Sequence, residues 1–445
     1  MIDEKNKLQV WLNAIAAYRD PKVVGILCLS FSSGLPFLLT LGTLHAWLKE
    51  QGVSNTGIGL FSLTTLPYAF KFLWAPVIDL IPIPKLTDLL GKRRSWILVS
   101  QMALLLSLMG LGLTNPAQHI GLTAFMAFMV CLCSATQDNG IEAYRVEVLN
   151  LEKPGPASAA SIIGFRVGMW ISGGGALYLA AHLPWRWVYI IMSSFIIVGM
   201  ITTLLVEEPE SSSPILEPWS GLKNKTMRLQ HIYSSIMKPA FMSLLRYKTL
   251  YMVLPFIFLF KVGDTVLNMM SIPFLLEIGF EKAEIAHVAK TFGLCALIIG
   301  GFIGGLLLQR YTMIQNITLS LCLLITSCFV FVLQAKVGHD IGFLFITIGI
   351  ENIACGMSAA TLITFLSRLC LPPFCATHFA FFSSFSSLSR VGLSTVSGWL
   401  ADHLSWEAFF IYVAAGCLPT LFLVWVQKEV FGFVKSSTPR ELYKS

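Results

Sequence analysis

The sequence predicts an all-α integral membrane protein, and its composition carries this prediction. Of the 445 residues, 55% are hydrophobic and only 12% are charged, whereas soluble domains carry about 25% charged residues. The mean hydropathy is +0.72. So few charges cannot cover a water-facing surface, and most of the chain must therefore face lipid. The net charge of +7 is not gathered into a basic stripe with interleaved aromatic rings, so we expect no nucleic-acid binding.

Twelve apolar segments are long enough to cross a bilayer as helices, since a crossing takes about 20 apolar residues. The long polar stretch 207–248 separates the first six from the last six and begins with Glu207-Glu208-Pro209, which ends a helix. The chain thus divides into an N-terminal segment (1–22), a six-helix half (23–206), a linker (207–248), a second half (249–431) and a tail (432–445). The predicted spans are 23–48, 57–81, 95–113, 119–149, 157–183, 185–206, 249–276, 283–308, 314–335, 340–366, 374–400 and 406–431.

The placement of Lys and Arg predicts the orientation of the chain. An even number of spans places both terminal segments, the linker and every second loop on one side of the membrane. Most basic residues outside the spans fall on that side, and the other side holds only Lys49, Arg186, Lys282 and Lys336. Because cytoplasmic loops carry the excess of basic residues, both termini and the linker are predicted to be cytoplasmic.

An internal repeat connects the two halves. The fifth span carries Arg166-Val167-Gly168 and is followed by His182-Leu183-Pro184-Trp185, while the eleventh carries Arg390-Val391-Gly392 and is followed by His403-Leu404-Ser405-Trp406. These spans look like copies. Duplicated six-helix halves are the architecture of the major facilitator superfamily, whose substrate site lies between the halves near the midplane of the membrane. We therefore expect a major facilitator fold.

Several ionisable residues lie inside the predicted spans, although one charge at the bilayer centre costs about 2.5–3.5 kcal/mol even on a lenient scale. These side chains should therefore face a water-filled cavity or an oppositely charged side chain. Helical spacing places some of them on common faces. These groups are Asp138, Glu142 and Arg145 on the fourth span, Lys261, Asp264 and Asn268 on the seventh, and Glu351-Asn352 on the tenth.

Two interpretations of these charges remain open. In one, Asp138, Glu142, Asp264 and Glu351 are proton-coupling carboxylates, because a carboxylate whose cationic neighbour moves can change its protonation state. In the other, they belong to fixed ion pairs that hold the helices in register. Lys261 stands one turn from Asp264 and could simply pair with it.

The loop between the second and third spans resembles a loosened form of the superfamily's cytoplasmic signature, with an acid at a helix end followed by Gly and basic residues. It contains Asp79 and then Gly91-Lys92-Arg93-Arg94, and a degenerate partner, Gly304-Gly305 with Arg310, follows the eighth span. The expected role is a cytoplasmic gate that holds helix ends together in one state and releases them in the other. Ordinary anchoring by positive charge is the alternative.

The sequence contains no pattern for a metal, a cofactor or an enzyme active site. The ten cysteines are scattered mostly inside apolar segments, and no His or acidic cluster completes a metal site beside Cys131 and Cys133. We expect free buried thiols and no disulfide. Within the spans there is no His-Glu pair at metal spacing and no Ser-Lys or Ser-His constellation, so we do not expect an enzyme.

The chain resembles the AmpG-type muropeptide permeases over residues 23–431. The matching motifs occur in the right order along both halves. They are Ser33-Gly34-Leu35-Pro36, Phe70-Lys71-Phe72-Leu73-Trp74-Ala75-Pro76 with Asp79, Gln137-Asp138 with Glu142-Ala143-Tyr144-Arg145, Lys261-Val262-Gly263-Asp264, Glu351-Asn352, Ala376-Thr377-His378-Phe379-Ala380 and Arg390-Val391-Gly392.

This resemblance implies a proton-coupled importer of anhydromuropeptides, GlcNAc-1,6-anhydro-MurNAc with or without its stem peptide, in the bacterial inner membrane. It implies muropeptide, protons and lipid as partners, and we expect a monomer. Alternatives are an efflux pump of the same superfamily and a solute transporter of the acetyl-CoA type. Basic side chains would bind substrate carboxylates, and the candidate substrate-binding residues are Lys71, Gln137, Tyr144, Arg145, Arg166, Lys261, Asn352 and Arg390.

Overall fold

The computed structural model describes residues 17–53, 55–148, 154–209, 234, 237–245, 250–370 and 373–426. Within these ranges the chain is helical and contains no strand. The helices are α1 (Pro21–Thr40), α2 (Gly42–Glu50), α3 (Asn55–Phe61), α4 (Leu66–Phe70), α5 (Ala75–Leu80), α6 (Leu86–Leu90), α7 (Lys92–Gly112), α8 (Ile120–Val148), α9 (Pro154–Trp170), α10 (Ala176–Ala180), α11 (Trp185–Ser194), α12 (Ile196–Leu205), α13 (Lys238–Leu245), α14 (Leu250–Glu277), α15 (Lys282–Ile285), α16 (Gly293–Arg310), α17 (Met313–Val337), α18 (Ile341–Leu369), α19 (Cys375–His403) and α20 (Trp406–Val426).

Ten helical stretches of the described residues are long and apolar enough to cross a membrane, and each coincides with a predicted span to within a few residues. The other two predicted spans are helical as well. Span 374–400 is the continuous helix α19, whereas span 57–81 is divided among α3, α4 and α5 with 3₁₀ turns between them. Pro67 and Pro76 stand in the first turns of α4 and α5, where proline is tolerated because the first amides of a helix have no intrahelical partner.

The helices form two compact units. The first takes its described residues from Met1–Glu152, Ile163–Ser243 and Cys370–Ser384, and the second from Lys153–Ile162, Leu244–Leu369 and Phe385–Ser445. The start of α9 thus belongs to the second unit and the start of α19 to the first. The division into halves at the 207–248 linker stays a prediction.

In the first unit, α1 and α9 pass each other at glycines. A Cβ atom added to Gly34 would lie 2.1 Å from the Phe165 carbonyl oxygen, and one added to Gly164 would lie 2.1 Å from that of Leu27. Only glycine permits this backbone approach. The contact fixes the rotation of α1, so that the Ser32-Ser33 pair is turned towards α8.

Aromatic rings fill the rest of the first unit's core. Trp47 stacks on Trp185 with ring centroids 5.9 Å apart, and the Tyr189 hydroxyl donates to the Leu39 carbonyl at 2.8 Å. Helix α13, inside the predicted linker, packs through Phe241 against Phe72, with ring centroids 6.3 Å apart. The sequence did not predict this helix.

The second unit is also held together by close helix contacts at glycines and by packed aromatic rings. Helices α16 and α18 approach at Gly300 and Gly356, where added Cβ atoms would lie 2.3 Å and 2.2 Å from opposing carbonyl oxygens. Phe274 packs edge-to-face on Phe331 and Phe410. In both units many large apolar side chains are exposed, such as Phe422 and Trp425 of α20 and Leu106 of α7, as expected of helices that face lipid.

Candidate functional site

Helix α8 carries a cluster of polar side chains inside the first unit. We name Ser33, Lys71, Asp138 and Glu142 the first-unit cluster. The Lys71 ammonium donates to Glu142 Oε2 at 2.7 Å, with 8% and 23% of the two side chains exposed. Ser33 Oγ donates to Asp138 Oδ1 at 2.5 Å. Asp138 also interacts electrostatically with Lys71 and Glu142, so the two acids share one lysine.

The broken second span brings Lys71 to this cluster. Lys71 lies in a 3₁₀ turn, Lys71–Leu73, and its carbonyl oxygen accepts a hydrogen bond from Asn139 Nδ2 at 3.0 Å. One residue beyond the turn, Trp74 Nε1 donates to Thr136 Oγ1 at 3.2 Å. Thr136 and Asn139 are one turn apart on α8 and hold the interrupted backbone beside Asp138.

The other predicted residues of α8 make their closest described contacts outside the first-unit cluster, although Arg145 interacts electrostatically with Glu142. Gln137 is fully buried, and its amide points to Ser32 Oγ at 3.5 Å. The Tyr144 hydroxyl donates to the Glu207 carbonyl at 3.0 Å. Arg145 is buried with its guanidinium over the Phe379 ring, 4.8 Å from the centroid.

A second cluster, formed by Lys261, Asp264, Asn268 and Glu351, lies in the second unit. Lys261 Nζ pairs with Asp264 Oδ2 at 2.7 Å, and Asn268 Nδ2 donates to Asp264 Oδ1 at 3.0 Å. Glu351 of α18 is buried and interacts electrostatically with Asp264. The ion pair expected from the spacing of Lys261 and Asp264 is present. This second-unit cluster also holds two acids and one lysine.

The remaining predicted substrate residues are placed separately. Asn352 is half-buried, and its amide donates to the Ile348 carbonyl of its own helix at 2.9 Å. Arg166 is half-buried on α9. Arg390 belongs to α19, but its side chain lies outside the described residues.

The residues predicted to form a gate meet around a fully buried Arg93. Its Nη2 pairs with Asp79 Oδ1 at 2.8 Å and with Glu147 Oε1 at 2.5 Å, and its Nη1 donates to the Ile78 carbonyl at 3.2 Å. The Lys92 ammonium donates to the Asp79 carbonyl at 2.6 Å. We call Asp79, Lys92, Arg93 and Glu147 the Arg93 cluster.

Asp79 also caps the start of α19. Its Oδ1 accepts from the Ala376 backbone amide at 3.0 Å, and its Oδ2 accepts from the amide and the hydroxyl of Thr377 at 2.8 and 2.7 Å. The first amides of a helix lack intrahelical partners and carry a partial positive charge, so a carboxylate stabilises them. Asp79 thereby neutralises Arg93 and caps a helix at the same time.

A matching cap stands at the start of α7. Glu208 accepts hydrogen bonds from the backbone amides of Arg93 at 2.8 Å and Arg94 at 3.1 Å. Burial raises the pKa of the Glu208 carboxyl above its usual value, and the two backbone hydrogen bonds oppose this shift. Arg94 in turn donates to the last carbonyls of α12, Thr203 at 2.9 Å and Leu204 at 2.6 Å.

Sequence reasoning missed Glu147, Glu208 and Thr377 as members of this region. The motif Glu207-Glu208-Pro209 only marked the end of a helix, and nothing local to it points to the distant start of α7. Arg310, the remaining predicted gate residue, ends α16 in the second unit.

Comparison with known proteins decides the family. The Major Facilitator Superfamily model matches residues 26–370. The chain belongs to the major facilitator superfamily and, within it, to the AmpG-type permeases. It is 35% identical over 395 residues to a transporter named AmpG 3 of Rickettsia typhi, covering 88% of this chain and 93% of that protein. It is 31% identical over 420 residues to the anhydromuropeptide permease of Escherichia coli K12, covering 94% and 82%.

A solved structure confirms the fold of this AmpG-type permease. The proton:xylose symporter XylE, bound to 6-bromo-6-deoxy-D-glucose, superposes with a TM-score of 0.64 over 92% of this chain and 94% of that one. Their sequences are only 11% identical, so this likeness concerns the fold alone. As a member of the permease family shown by the family model and the relatives, the protein is a multi-pass membrane transporter of small molecules and, as expected, not an enzyme.

Proposed function

We propose that this permease imports anhydromuropeptides, GlcNAc-1,6-anhydro-MurNAc with or without stem peptide, from the periplasm to the cytoplasm in symport with protons. The observation that carries the proposal is its similarity, over nearly the whole chain, to the Escherichia coli anhydromuropeptide permease. In this proposal the protein acts as a monomer in the bacterial inner membrane, with both termini in the cytoplasm.

The charge balance of the two clusters supports proton coupling. In the first-unit cluster Lys71 pairs with Glu142, and the part of the chain that the structure describes offers Asp138 an uncharged hydrogen-bond partner, Ser33, but no cation within ion-pair distance. A buried charge without a partner is costly, and uptake of one proton by Asp138 would leave Lys71 and Glu142 as a balanced ion pair.

The second-unit cluster has the same balance. Lys261 pairs with Asp264, and Glu351 is the additional acid. We therefore propose Asp138 and Glu351 as the groups that exchange protons, with Glu142 and Asp264 as the carboxylates that hold the lysines. Movement of either lysine between its two acids would change which of them binds a proton.

Basic side chains are proposed to bind the carboxylates of the stem peptide. Arg166 and Arg390 stand at repeat-related positions, and arginine binds a carboxylate through two parallel hydrogen bonds. Lys71, Lys261, Arg145 and Asn352 stay in the proposal as residues that substrate could reach during the transport cycle. Gln137 and Tyr144 would have to leave their contacts with Ser32 and with the Glu207 carbonyl before they could bind substrate.

The Arg93 cluster supports the proposal of a cytoplasmic gate. Asp79 links the second predicted span to the start of α19, the eleventh. Release of Thr377 by Asp79 would free the start of α19, while Glu147 would keep Arg93 paired. We propose that this release accompanies opening to the cytoplasm.

The test is uptake of labelled GlcNAc-1,6-anhydro-MurNAc, with and without tripeptide, into proteoliposomes under an inward proton gradient. We expect accumulation that a protonophore abolishes. Asp138→Asn should retain binding and folding but lose gradient-driven accumulation, because asparagine cannot exchange a proton. Asp340→Asn, at an exposed acid that caps the Phe343 amide, is the matched control. Normal accumulation by Asp138→Asn would remove Asp138 from the mechanism, and no uptake by folded wild-type protein would favour the efflux alternative.

A further inference from the structure

Ser33 is an uncharged residue of α1 that touches the proposed proton-exchanging carboxylate. Its hydroxyl donates to Asp138 Oδ1 at 2.5 Å, and both side chains are buried, with 8% and 9% of the residues exposed. The neighbouring Ser32 is fully buried, and within the described residues it receives one long hydrogen bond, of 3.5 Å, from Gln137. The two serines thus meet two consecutive residues of α8, and only one of these contacts involves an ionisable group.

The backbone of α1 is built to hold Ser33 in this place. Gly34, the next residue, lies so close to Phe165 that a Cβ atom there would stand 2.1 Å from the Phe165 carbonyl oxygen. Pro36, two residues further on, has no amide hydrogen, so one hydrogen bond of the helix is missing at this turn. The α1–α9 contact fixes the rotation of the helix, whereas the missing bond lets this turn deform locally.

We propose that Ser33 is a positioning residue for proton exchange at Asp138: its hydroxyl holds the carboxylate in one orientation and stabilises the ionised form. This inference rests on the proposed function. Hydrogen-bond donation to a carboxylate favours its ionised state. Ser33 thereby sets the pH at which the transporter takes up and releases its proton, although it carries no charge.

Other groups around Asp138 act on the same proton. Lys71 and Glu142, which lies one turn along α8, both interact electrostatically with Asp138. The phenol of Tyr68 on α4 also interacts with Asp138, and Arg145 lies further along α8 beside Glu142. Of these neighbours only Ser33 is a short, uncharged donor at hydrogen-bond distance, so its removal changes the proton affinity without changing the charge of the cluster.

The test compares Ser33→Ala with Ser32→Ala in proteoliposomes, measuring initial uptake of GlcNAc-1,6-anhydro-MurNAc as a function of external pH. In Ser33→Ala the pH of half-maximal uptake should rise by about one unit, since a hydrogen bond to a charged group has about that effect on proton affinity. Maximal velocity should fall several-fold, because the proton leaves less readily on the cytoplasmic side. The KM for muropeptide should stay unchanged.

Ser32→Ala should retain the wild-type profile. An unchanged profile for Ser33→Ala, or the same shift in both variants, would overturn the role of Ser33 while wild-type uptake still supported the symporter. Absence of gradient-driven uptake in the wild type would instead reject the proposed function. Ser33→Thr, which retains the hydroxyl, should restore the wild-type pH of half-maximal uptake even if its maximal velocity is lower.

Discussion

At the scale of single residues, the buried charges of this transporter fall into two kinds. Every guanidinium nitrogen of Arg93 donates a hydrogen bond, and Asp79, Glu147 and the Ile78 carbonyl accept these bonds. Lys71 instead faces two acids and makes an ion pair with only one of them. Removal of one partner from a buried ion pair leaves the other charge uncompensated, which costs more than replacing both partners by apolar side chains. We therefore expect Arg93 to contribute mainly to stability and Lys71 to take part in transport.

We predict that Lys71→Met destabilises the protein and that Lys71→Met/Glu142→Leu recovers much of the loss. The single variant leaves Glu142 and Asp138 without their lysine, whereas the double variant removes a carboxylate as well. The coupling free energy between the two positions should be about 1–3 kcal/mol. Thermal unfolding in detergent would measure it. Uptake should stay abolished in the double variant, and additive changes in stability would contradict the pairing.

At the scale of helices, hydropathy and charge spacing predicted most elements, because lipid imposes long apolar helices. The ion pair of Lys261 and Asp264 also followed from the sequence, since both residues lie on one helix. Two features could not be predicted. The first is the ion pair between Lys71 and Glu142, which depends on how the interrupted second span packs on α8. The cap of α7 by Glu208 joins residues more than 100 positions apart in the chain.

Gly91 shows why that cap constrains the sequence. Its φ of 87° and ψ of 170° lie in a region open essentially to glycine alone. A Cβ atom would also stand 2.3 Å from the Glu208 side chain. The sequence prediction included Gly91 as part of a gate motif. The structure adds the physical reason for glycine, which is that the turn must bring the first amides of α7 onto a carboxylate.

We predict that Gly91→Ala destabilises the protein by about 1–3 kcal/mol through backbone strain, together with partial loss of the Glu208 cap. Gly121→Ala is the matched control, because a Cβ atom there meets nothing within 4 Å and alanine favours a helix. Thermal unfolding of both variants in the same detergent measures the difference. Equal stability of Gly91→Ala and the wild type would show that the turn can adopt another conformation.

At the scale of the whole molecule, Asp79 is one of the residues that connect the two sequence halves. Asp79 belongs to the first half, and α19, whose start it caps, belongs to the second, although both lie in the first compact unit. The repeat in the sequence predicted a major facilitator fold, and the family model and the XylE superposition confirm that fold. The sequence predicted Asp79 as a gate residue but not its contact with Thr377. A residue from any part of a chain can cap a helix start, so this contact has no local sequence signal.

The gate proposal predicts a change in hydrogen exchange at the first turn of α19. In Asp79→Ala the amides of Ala376 and Thr377 should exchange about fivefold faster, since loss of a cap costs about 1 kcal/mol. The Gln315 amide in the first turn of α17 donates to the side chain of the N-cap residue Thr312. It should exchange at the wild-type rate. Mass spectrometry of the protein in lipid nanodiscs would measure both segments.

A permanent cap and a gate respond differently to substrate. If Asp79 releases α19 during transport, wild-type protein supplied with muropeptide at low pH should exchange the Ala376 and Thr377 amides faster, approaching the rate of Asp79→Ala. The Gln315 amide should not respond. If Asp79 only stabilises the fold, substrate should leave both segments unchanged, and Asp79→Ala should reduce uptake only as far as it reduces the amount of folded protein. Rapid exchange at α19 that requires substrate would therefore distinguish a moving contact from a fixed one.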